Sequence, residues 1–389
     1  MKIVVLGGCG IQGRTAIYDL SRSTRVKHII CADICLDNMK QIEVMADMSK
    51  VTAVQLDITD SKSLENVIAQ GDVVIDLLPC DYVETICMAG IKVGVSVVNT
   101  NYGHFIQSMD NQAKEASIAL LPQCGFDPGI DLILYGYAYK YFDQLHTINS
   151  YCGGFPEASA CDNPINYKIG WTWAGVVDTI CKEAKLIKNG QIVNIIDQKS
   201  DLSDNIHKIK FPGLGTMEAI PNGDAVIFTD MLGITADIHE TGRYSLRWPG
   251  WNDFWQPLHY FGFLDETPIP GLSPSISPFQ FLVNIMEPQL QYKDKEKDVI
   301  ALLNIFEGLV DGKQKQMTTR MYLERDLKTG LTAMSLGVGC AVSIIAQMIA
   351  GNEIEEKGVL SPMFHVPYEP FTQELAKRGI SIDVEVETK

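Results

Sequence analysis

Short apolar runs alternate with helix-compatible segments through the first third of the chain. Residues 4–6, 28–32, 53–56, 73–78 and 96–98 read as strands, and only Asp76 interrupts the fourth run. Runs that are apolar on both faces fit a parallel sheet covered on both sides. Between them, residues 14–21, 41–48, 64–69 and 82–92 carry apolar positions at helical spacing. Pro79 cannot donate to a sheet ladder, so it ends the fourth strand. This βα alternation predicts an α/β fold: a Rossmann-type, doubly wound parallel sheet over residues 1–125.

The pattern changes at Asp127-Pro128-Gly129. Beyond it, hairpin-like strands are expected around 148–152, 191–196 and 241–247, helices at 279–287 and 297–309, and a strand at 317–324. These describe a second, α+β domain for substrate binding and dimerisation, residues 126–330. A C-terminal segment, 331–389, is expected to pack back on the first domain. Its stretch 331–350 is long enough to span a bilayer, but Thr332, Ser335, Ser343 and Gln347 favour a buried helix. A chain of 389 residues exceeds what one core fills, which also points to two domains.

The formal net charge is −16, which argues against nucleic acid or an anionic membrane surface as partner. The ten cysteines contain no Cys-x-x-Cys pair, and the seven histidines lack ligand spacing, so no metal is expected. The N-terminal apolar run is too short for a secretory signal and reads as a first strand, so a cytoplasmic location is expected.

Gly8-Cys9-Gly10-Ile11-Gln12-Gly13 is a G-x-G-x-x-G that follows a strand and opens a helix. In that setting Gly8 permits the turn, Gly10 lets backbone approach a pyrophosphate, and Gly13 lets the helix lie close to the strand. Helix-start N–H groups, including those of Ile11 and Gln12, face the phosphates. Asp33, 20 residues after Gly13, is placed to accept the adenosine ribose hydroxyls. It would repel a 2′-phosphate, and no Lys or Arg lies between Cys31 and Met39, so NAD is expected over NADP. Asp57 after the third strand is placed for the adenine, and Leu78 and Pro79 for the path of the cofactor.

Several blocks resemble the saccharopine dehydrogenase family, in particular the glutamate-forming saccharopine reductases and the related lysine 6-dehydrogenases. They are Cys124-Gly125-Phe126-Asp127-Pro128-Gly129-Ile130, Tyr151-Cys152-Gly153-Gly154-Phe155-Pro156, Asp162-Asn163-Pro164, Glu218-Ala219-Ile220-Pro221-Asn222 and Arg243-Tyr244-Ser245-Leu246-Arg247-Trp248-Pro249-Gly250. The resemblance implies reversible hydride transfer at a carbon–nitrogen centre of an amino-acid-derived substrate, in lysine metabolism. By motif matching it places Tyr102, Asp127 and Cys152 near the reaction. Tyr102 also follows a strand at the sheet's carboxyl edge, and a carboxyl at the junction around Asp127 could shuttle protons. Lys168, Arg243 and Arg247 are the candidates for substrate carboxylates, since guanidinium groups bind them with paired hydrogen bonds.

Two departures stand out. Saccharopine reductases carry Pro-Arg where this chain has Trp173-Ala174, and they use NADP where Asp33 points to NAD. A lysine 6-dehydrogenase-like amine dehydrogenase is therefore the second reading, and a non-catalytic dinucleotide sensor the third. A homodimer is expected from the resemblance.

Overall fold

In the computed structural model, which describes residues 1–195, 205–271 and 275–389, the side chain of His104 apart, the chain divides into two units. Residues 1–137 and 335–381 form the first; residues 138–334 and 382–389 form the second. The proposed strand residue Ile196 lies outside the described residues.

The first unit begins with β1 (Lys2–Leu6), α1 (Ile11–Arg22), β2 (His28–Asp33), α2 (Met39–Glu43), β3 (Val51–Gln55) and α3 (Ser61–Ile68). It continues with β4 (Val73–Asp76), α4 (Val83–Val93), β5 (Ser96–Asn99), α5 (Asp110–Glu115), β6 (Ala119–Leu121) and α6 (Ile130–Tyr141). The second unit holds β7 (Gln144–Pro156), α7 (Trp173–Asp178), β8 (Ala184–Lys188), β9 (Gln191–Ile195), β10 (His207–Phe211) and β11 (Gly215–Pro221). Then follow β12 (Gly223–Asp224), α8 (Val226–Leu232), β13 (Glu240–Arg247), α9 (Trp251–Tyr260), α10 (Pro278–Met286), β14 (Asp298–Val310) and β15 (Lys313–Glu324). The chain ends with α11 (Ala333–Ala350), β16 (Gly358–Val359), α12 (Pro362–His365), α13 (Tyr368–Lys377) and β17 (Ile382–Thr388).

In the first unit seven parallel strands lie in the order β16-β6-β5-β4-β1-β2-β3. Ile3, Val4, Val5 and Leu6 are all buried, as expected of a central strand with helices on both faces. The order reverses beside β1, which opens a crevice at the carboxyl ends of β1 and β4, where ligands of such sheets bind. Helix α11 is long and apolar enough to cross a membrane, yet 78% of it is buried inside the protein. Its polar side chains have protein partners: Ser343 Oγ donates to Asp19 Oδ2 at 2.6 Å, and Ser23 Oγ donates to Gln347 Oε1 at 2.6 Å. Arg378 grips the same Asp19 through two hydrogen bonds of 2.6 and 2.9 Å. Asp19 thus joins α1, α11 and the end of α13.

The second unit is built on a ten-stranded mixed sheet, with the order β10-β11-β13-β7-β14-β15-β17 along its main path. Strands β13 and β7 run parallel, with Arg243 opposite Ser150 and Ser245 opposite Cys152. Because side chains alternate along a strand, Arg243, Ser245 and Arg247 share one face with Ser150 and Cys152. Tyr244, Leu246 and Tyr151 point to the other, into a core with Phe155, Phe211 and Val299. An aromatic cluster of Tyr167, Trp173, Trp251 and Trp255 forms a second core with Ile220, the register partner of Ser245.

Four expectations change. Residues 297–309 form the strand β14, not a helix. The run Val299–Leu303 is buried throughout because β14 lies between β7 and β15, and a continuous apolar run does not show its period. The strands at 148–152 and 241–247 are parallel neighbours rather than arms of hairpins. The α-helix expected at 41–48 is instead Met39–Glu43, with a 3-10 turn at Met48–Lys50. The first unit extends to residue 137, and the last strand, β17, pairs with β15 of the second unit instead of joining the first.

Replacing Asp19 by Ala removes the acceptor for Ser343 and one of the two carboxylate partners of Arg378, which keeps Glu374 at 2.7 Å. Urea unfolding of the full chain should show a loss of about 3 kcal/mol, as for other buried ion pairs that lose one member. A loss below about 0.5 kcal/mol would show that α11 and α13 dock without it.

Candidate active site

The glycine loop between β1 and α1 is built on contacts no side chain would permit. Gly7 adopts φ +72°, the left-handed conformation that glycine reaches without strain. The residue in the left-handed conformation is therefore Gly7, one position before the fingerprint, while a Cβ at Gly8 would lie 2.6 Å from Cys31 Sγ. A Cβ at Gly13 would lie 2.2 Å from the Gly7 carbonyl oxygen, so the first turn of α1 can sit here only without one. Gly10 precedes the helix with extended backbone and makes no side-chain cap. The leading N–H groups of α1, those of Ile11, Gln12 and Gly13, have no partner within the helix and carry the positive end of its dipole. This is a cradle for a diphosphate.

Asp33 ends β2 beside that loop. Its Oδ2 accepts a hydrogen bond from the Cys9 N–H at 2.9 Å, and its Oδ1 accepts from the Cys35 N–H at 3.2 Å. The carboxylate is thus fixed next to the fingerprint and half-exposed. Asp57 is held by its neighbour Thr59. Its Oδ1 accepts from both the N–H and the hydroxyl of Thr59, at 2.9 and 2.7 Å, which holds its pKa below the usual carboxylate value. It closes a local turn. Leu78 is half-buried and Pro79 exposed where β4 leaves the sheet.

Tyr102 and Asp127 lie on adjacent loops of the first unit, after β5 and β6. The two loops are tied by the Gln123 N–H donating to the Asn101 carbonyl and the Cys124 N–H donating to the Asn99 carbonyl, each at 2.9 Å. The Tyr102 side chain is 44% exposed. Asp127 precedes Pro128 through a cis peptide bond in a tight loop where the Gly125 N–H donates to the Pro128 carbonyl. Asp131 secures that loop by accepting from the Gly129 N–H at 2.7 Å, and burial pushes its pKa up to about 7.

The sequence reading overlooked a polar set under these loops. Asp76 Oδ1 accepts from the Leu78 N–H at 3.0 Å, Asn99 Oδ1 from the Asn101 N–H at 3.0 Å, and the Leu78 carbonyl from Asn101 Nδ2 at 3.1 Å. Asp76 and Asn99 face each other in register across β4 and β5. Their second polar atoms, Oδ2 and Nδ2, are buried without a hydrogen-bond partner among the described residues. Burial pushes the Asp76 carboxyl up to about 7. The only signal in the sequence was a single acidic residue in an apolar strand.

The remaining candidates belong to the second unit. Cys152 is buried on the sheet face that carries the arginines. Lys168, 2% exposed, is held by Glu296 at 2.7 Å and Asp162 at 3.0 Å. Two carboxylates thus neutralise its charge inside the protein. Arg243 is buried with its guanidinium 4.7 Å from the centre of the Phe228 ring. Arg247 is buried between Tyr167 and Trp251, 5.5 and 5.1 Å from their ring centres. Among the described residues no group of three or more His, Cys, Asp or Glu forms a metal site.

The saccharopine dehydrogenase NADP binding domain family matches residues 3–121, and the saccharopine dehydrogenase C-terminal domain family matches residues 125–380. The chain belongs to the saccharopine dehydrogenase family. A relative of similar length is "Saccharopine dehydrogenase [NADP(+), L-glutamate-forming]" of Schizosaccharomyces pombe, 26% identical over 99% of each chain. The alpha-aminoadipic semialdehyde synthase of Arabidopsis thaliana is 27% identical over 91% of this chain, which spans 40% of that protein. The mouse protein of that name is 25% identical, and the match spans 47% of it. The solved structure of the apo L-Glu-forming saccharopine dehydrogenase of Saccharomyces cerevisiae superposes with a TM-score of 0.87 over 99% of each chain, at 23% identity. That likeness shows the shared fold.

Two outcomes test this geometry. Gly13→Ala should reduce NADH affinity at least tenfold, read by fluorescence titration, because α1 must move off the loop to admit the methyl group. Asp76 gives a pH signature. The unfolded chain loses this proton near pH 4, whereas the folded chain keeps it to about 7, so stability falls as pH rises between those values. Asp76→Asn keeps an acceptor for Leu78 but cannot ionise. The drop in melting temperature from pH 5 to pH 8 should be smaller by a few degrees in this variant than in the wild type.

Proposed function

We propose that this chain oxidises the secondary amine of saccharopine, using NAD in preference to NADP, and yields glutamate and aminoadipate semialdehyde. The observation that carries the reading is the end-to-end match to the S. pombe saccharopine dehydrogenase, 99% of each chain. Relatives of that kind are named for NADP. The preference for NAD rests on Asp33, which is anchored beside the glycine loop and would oppose a 2′-phosphate.

The residues that would hold the dinucleotide are Gly7 to Gly13, the N-terminus of α1, Asp33, Leu78 and Pro79. When bound, its nicotinamide ring supplies hydride transfer. Loss of hydride from the substrate carbon leaves a carbon–nitrogen double bond. Water adds to that carbon, and the carbon–nitrogen bond then breaks to give an aldehyde and a primary amine. In this reading Asp127 takes and returns protons and Tyr102 holds the reacting nitrogen by hydrogen bonding, while Cys152 lines the pocket. Arg243 and Arg247 recognise carboxylates. A cytoplasmic homodimer belongs to the same proposal, and light scattering of the purified protein tests the dimer.

The test is the appearance of reduced cofactor at 340 nm with saccharopine or L-lysine, each with NAD or NADP. Saccharopine with NAD should be the fastest pair, and Asp33→Ala should shift the NAD-to-NADP ratio of kcat/KM at least tenfold toward NADP. Turnover with lysine alone would move the protein to the second reading, for which Trp173-Ala174 in place of Pro-Arg argues. Binding of NADH without turnover of either amine would leave the sensor.

A further inference from the structure

Three loops meet at the carboxyl edge of the first unit's sheet, after β4, β5 and β6, and Asn101 is hydrogen-bonded in all three. Strands β4 and β5 are parallel neighbours, and their last residues, Asp76 and Asn99, face each other in register. Each closes the same local turn: its Oδ1 accepts from the N–H two residues on, that of Leu78 in one case and of Asn101 in the other, both at 3.0 Å. The two turns are joined side to side, because Asn101 Nδ2 donates to the Leu78 carbonyl at 3.1 Å. The Asn101 carbonyl accepts from the Gln123 N–H at 2.9 Å, which adds the third loop.

Two features set this arrangement apart from ordinary strand ends. Asp76 and Asn99 are 0% and 1% exposed, and Asp76 Oδ2 and Asn99 Nδ2 have no hydrogen-bond partner among the described residues. Burying polar atoms in that state is unfavourable, and an apolar residue at either position would remove the cost. Gln123 holds a left-handed backbone, φ +63°, which a residue with a side chain keeps only where its surroundings fix it. Local costs of this kind collect where a site needs a set geometry. What is set here is the direction of three segments. Tyr102 is the residue after Asn101, and with 44% of its side chain exposed, much of its placement comes from the backbone it stands on. Holding the Leu78 carbonyl fixes how Pro79 leaves the sheet, and the loop from Gln123 leads within four residues to Asp127.

We propose that Asn101 is a positioning residue, which locks Tyr102 in a fixed place relative to the Leu78-Pro79 turn and to the loop that carries Asp127. The proposal rests on the proposed function for what Tyr102 does, and deepens it by naming what aims that side chain. Asn101 acts through Tyr102 and the two neighbouring loops, and touches neither substrate nor cofactor. Hydride transfer depends on the placement of the groups around the reacting atoms, and a shift of about 1 Å lowers such a rate by roughly a hundredfold. Loss of the tie therefore lowers kcat more than it raises KM.

The test uses the full chain and three variants: Asn101→Ala, Tyr102→Phe and the two together. With saccharopine and saturating NAD, Asn101→Ala should lower kcat at least about tenfold and change KM less than about threefold. The double variant should lose less than about threefold beyond Tyr102→Phe alone, because nothing is then left to aim. Losses that multiply would show that Asn101 acts apart from Tyr102 and would overturn the proposal. Wild-type kcat in Asn101→Ala would overturn it too. Hydrogen exchange read by mass spectrometry needs no substrate. The Leu78 and Gln123 amides, on the two neighbouring loops, should exchange faster in Asn101→Ala, while β1, β2 and β3 stay as protected as in the wild type. Faster exchange confined to residues 99–105 would overturn the tie. Asn101→Asp keeps the shape and loses only the Nδ2 donor, so it should give the same pattern if Asn101→Ala folds poorly. If the wild type turns over no saccharopine, the substrate assignment falls, and the exchange pattern still decides for or against the tie.

Discussion

The closeness of α1 to the end of β1 governs the first unit. With Gly13 set against the Gly7 carbonyl, the axis of α1 points its unpaired N–H groups across the carboxyl edge of the sheet. Cys9 is then carried to the Asp33 carboxylate, which ties the glycine loop to the end of β2. The buried face of α1 in turn receives α11 and the end of α13 through Asp19. Any side chain at position 13 would push apart helix and strand and disturb both sides of α1 together.

The second unit solves a different problem. Its sheet buries side chains on both faces, and one of those faces must hold polar chemistry. Tyr151, Tyr244 and Leu246 make the other face an ordinary core. On the polar face, cations sit against aromatic rings, Arg243 on Phe228 and Arg247 between Tyr167 and Trp251. Ring faces help to offset the cost of burying these cations. Lys168 shows the contrast: it is paired inside the protein with Glu296 and Asp162.

What the sequence reveals depends on how local the cause is. The βα alternation of the first unit is legible because each strand is a short apolar run closed by turn residues, and Asp33 follows the glycines at fixed spacing. Strand β14 is not, because a strand buried on both faces and a buried helix give the same composition. The parallel pairing of β13 with β7 joins residues about ninety positions apart and leaves no local mark. One partner of Lys168, Glu296, is 128 residues away and leaves no local mark, whereas the other, Asp162, lies six residues before it in the same motif block. Asp57 accepts from Thr59 two residues on, a local turn that is legible in the sequence. Gly7 was hidden by the fingerprint itself, which begins one residue later.

The most direct measurement of the central claim is an NMR product analysis of saccharopine incubated with the protein and NAD. The account predicts one glutamate and one aldehyde, or its cyclised form, for each NADH formed. NADH formation without glutamate, or no consumption of saccharopine by protein that binds NADH, would contradict it.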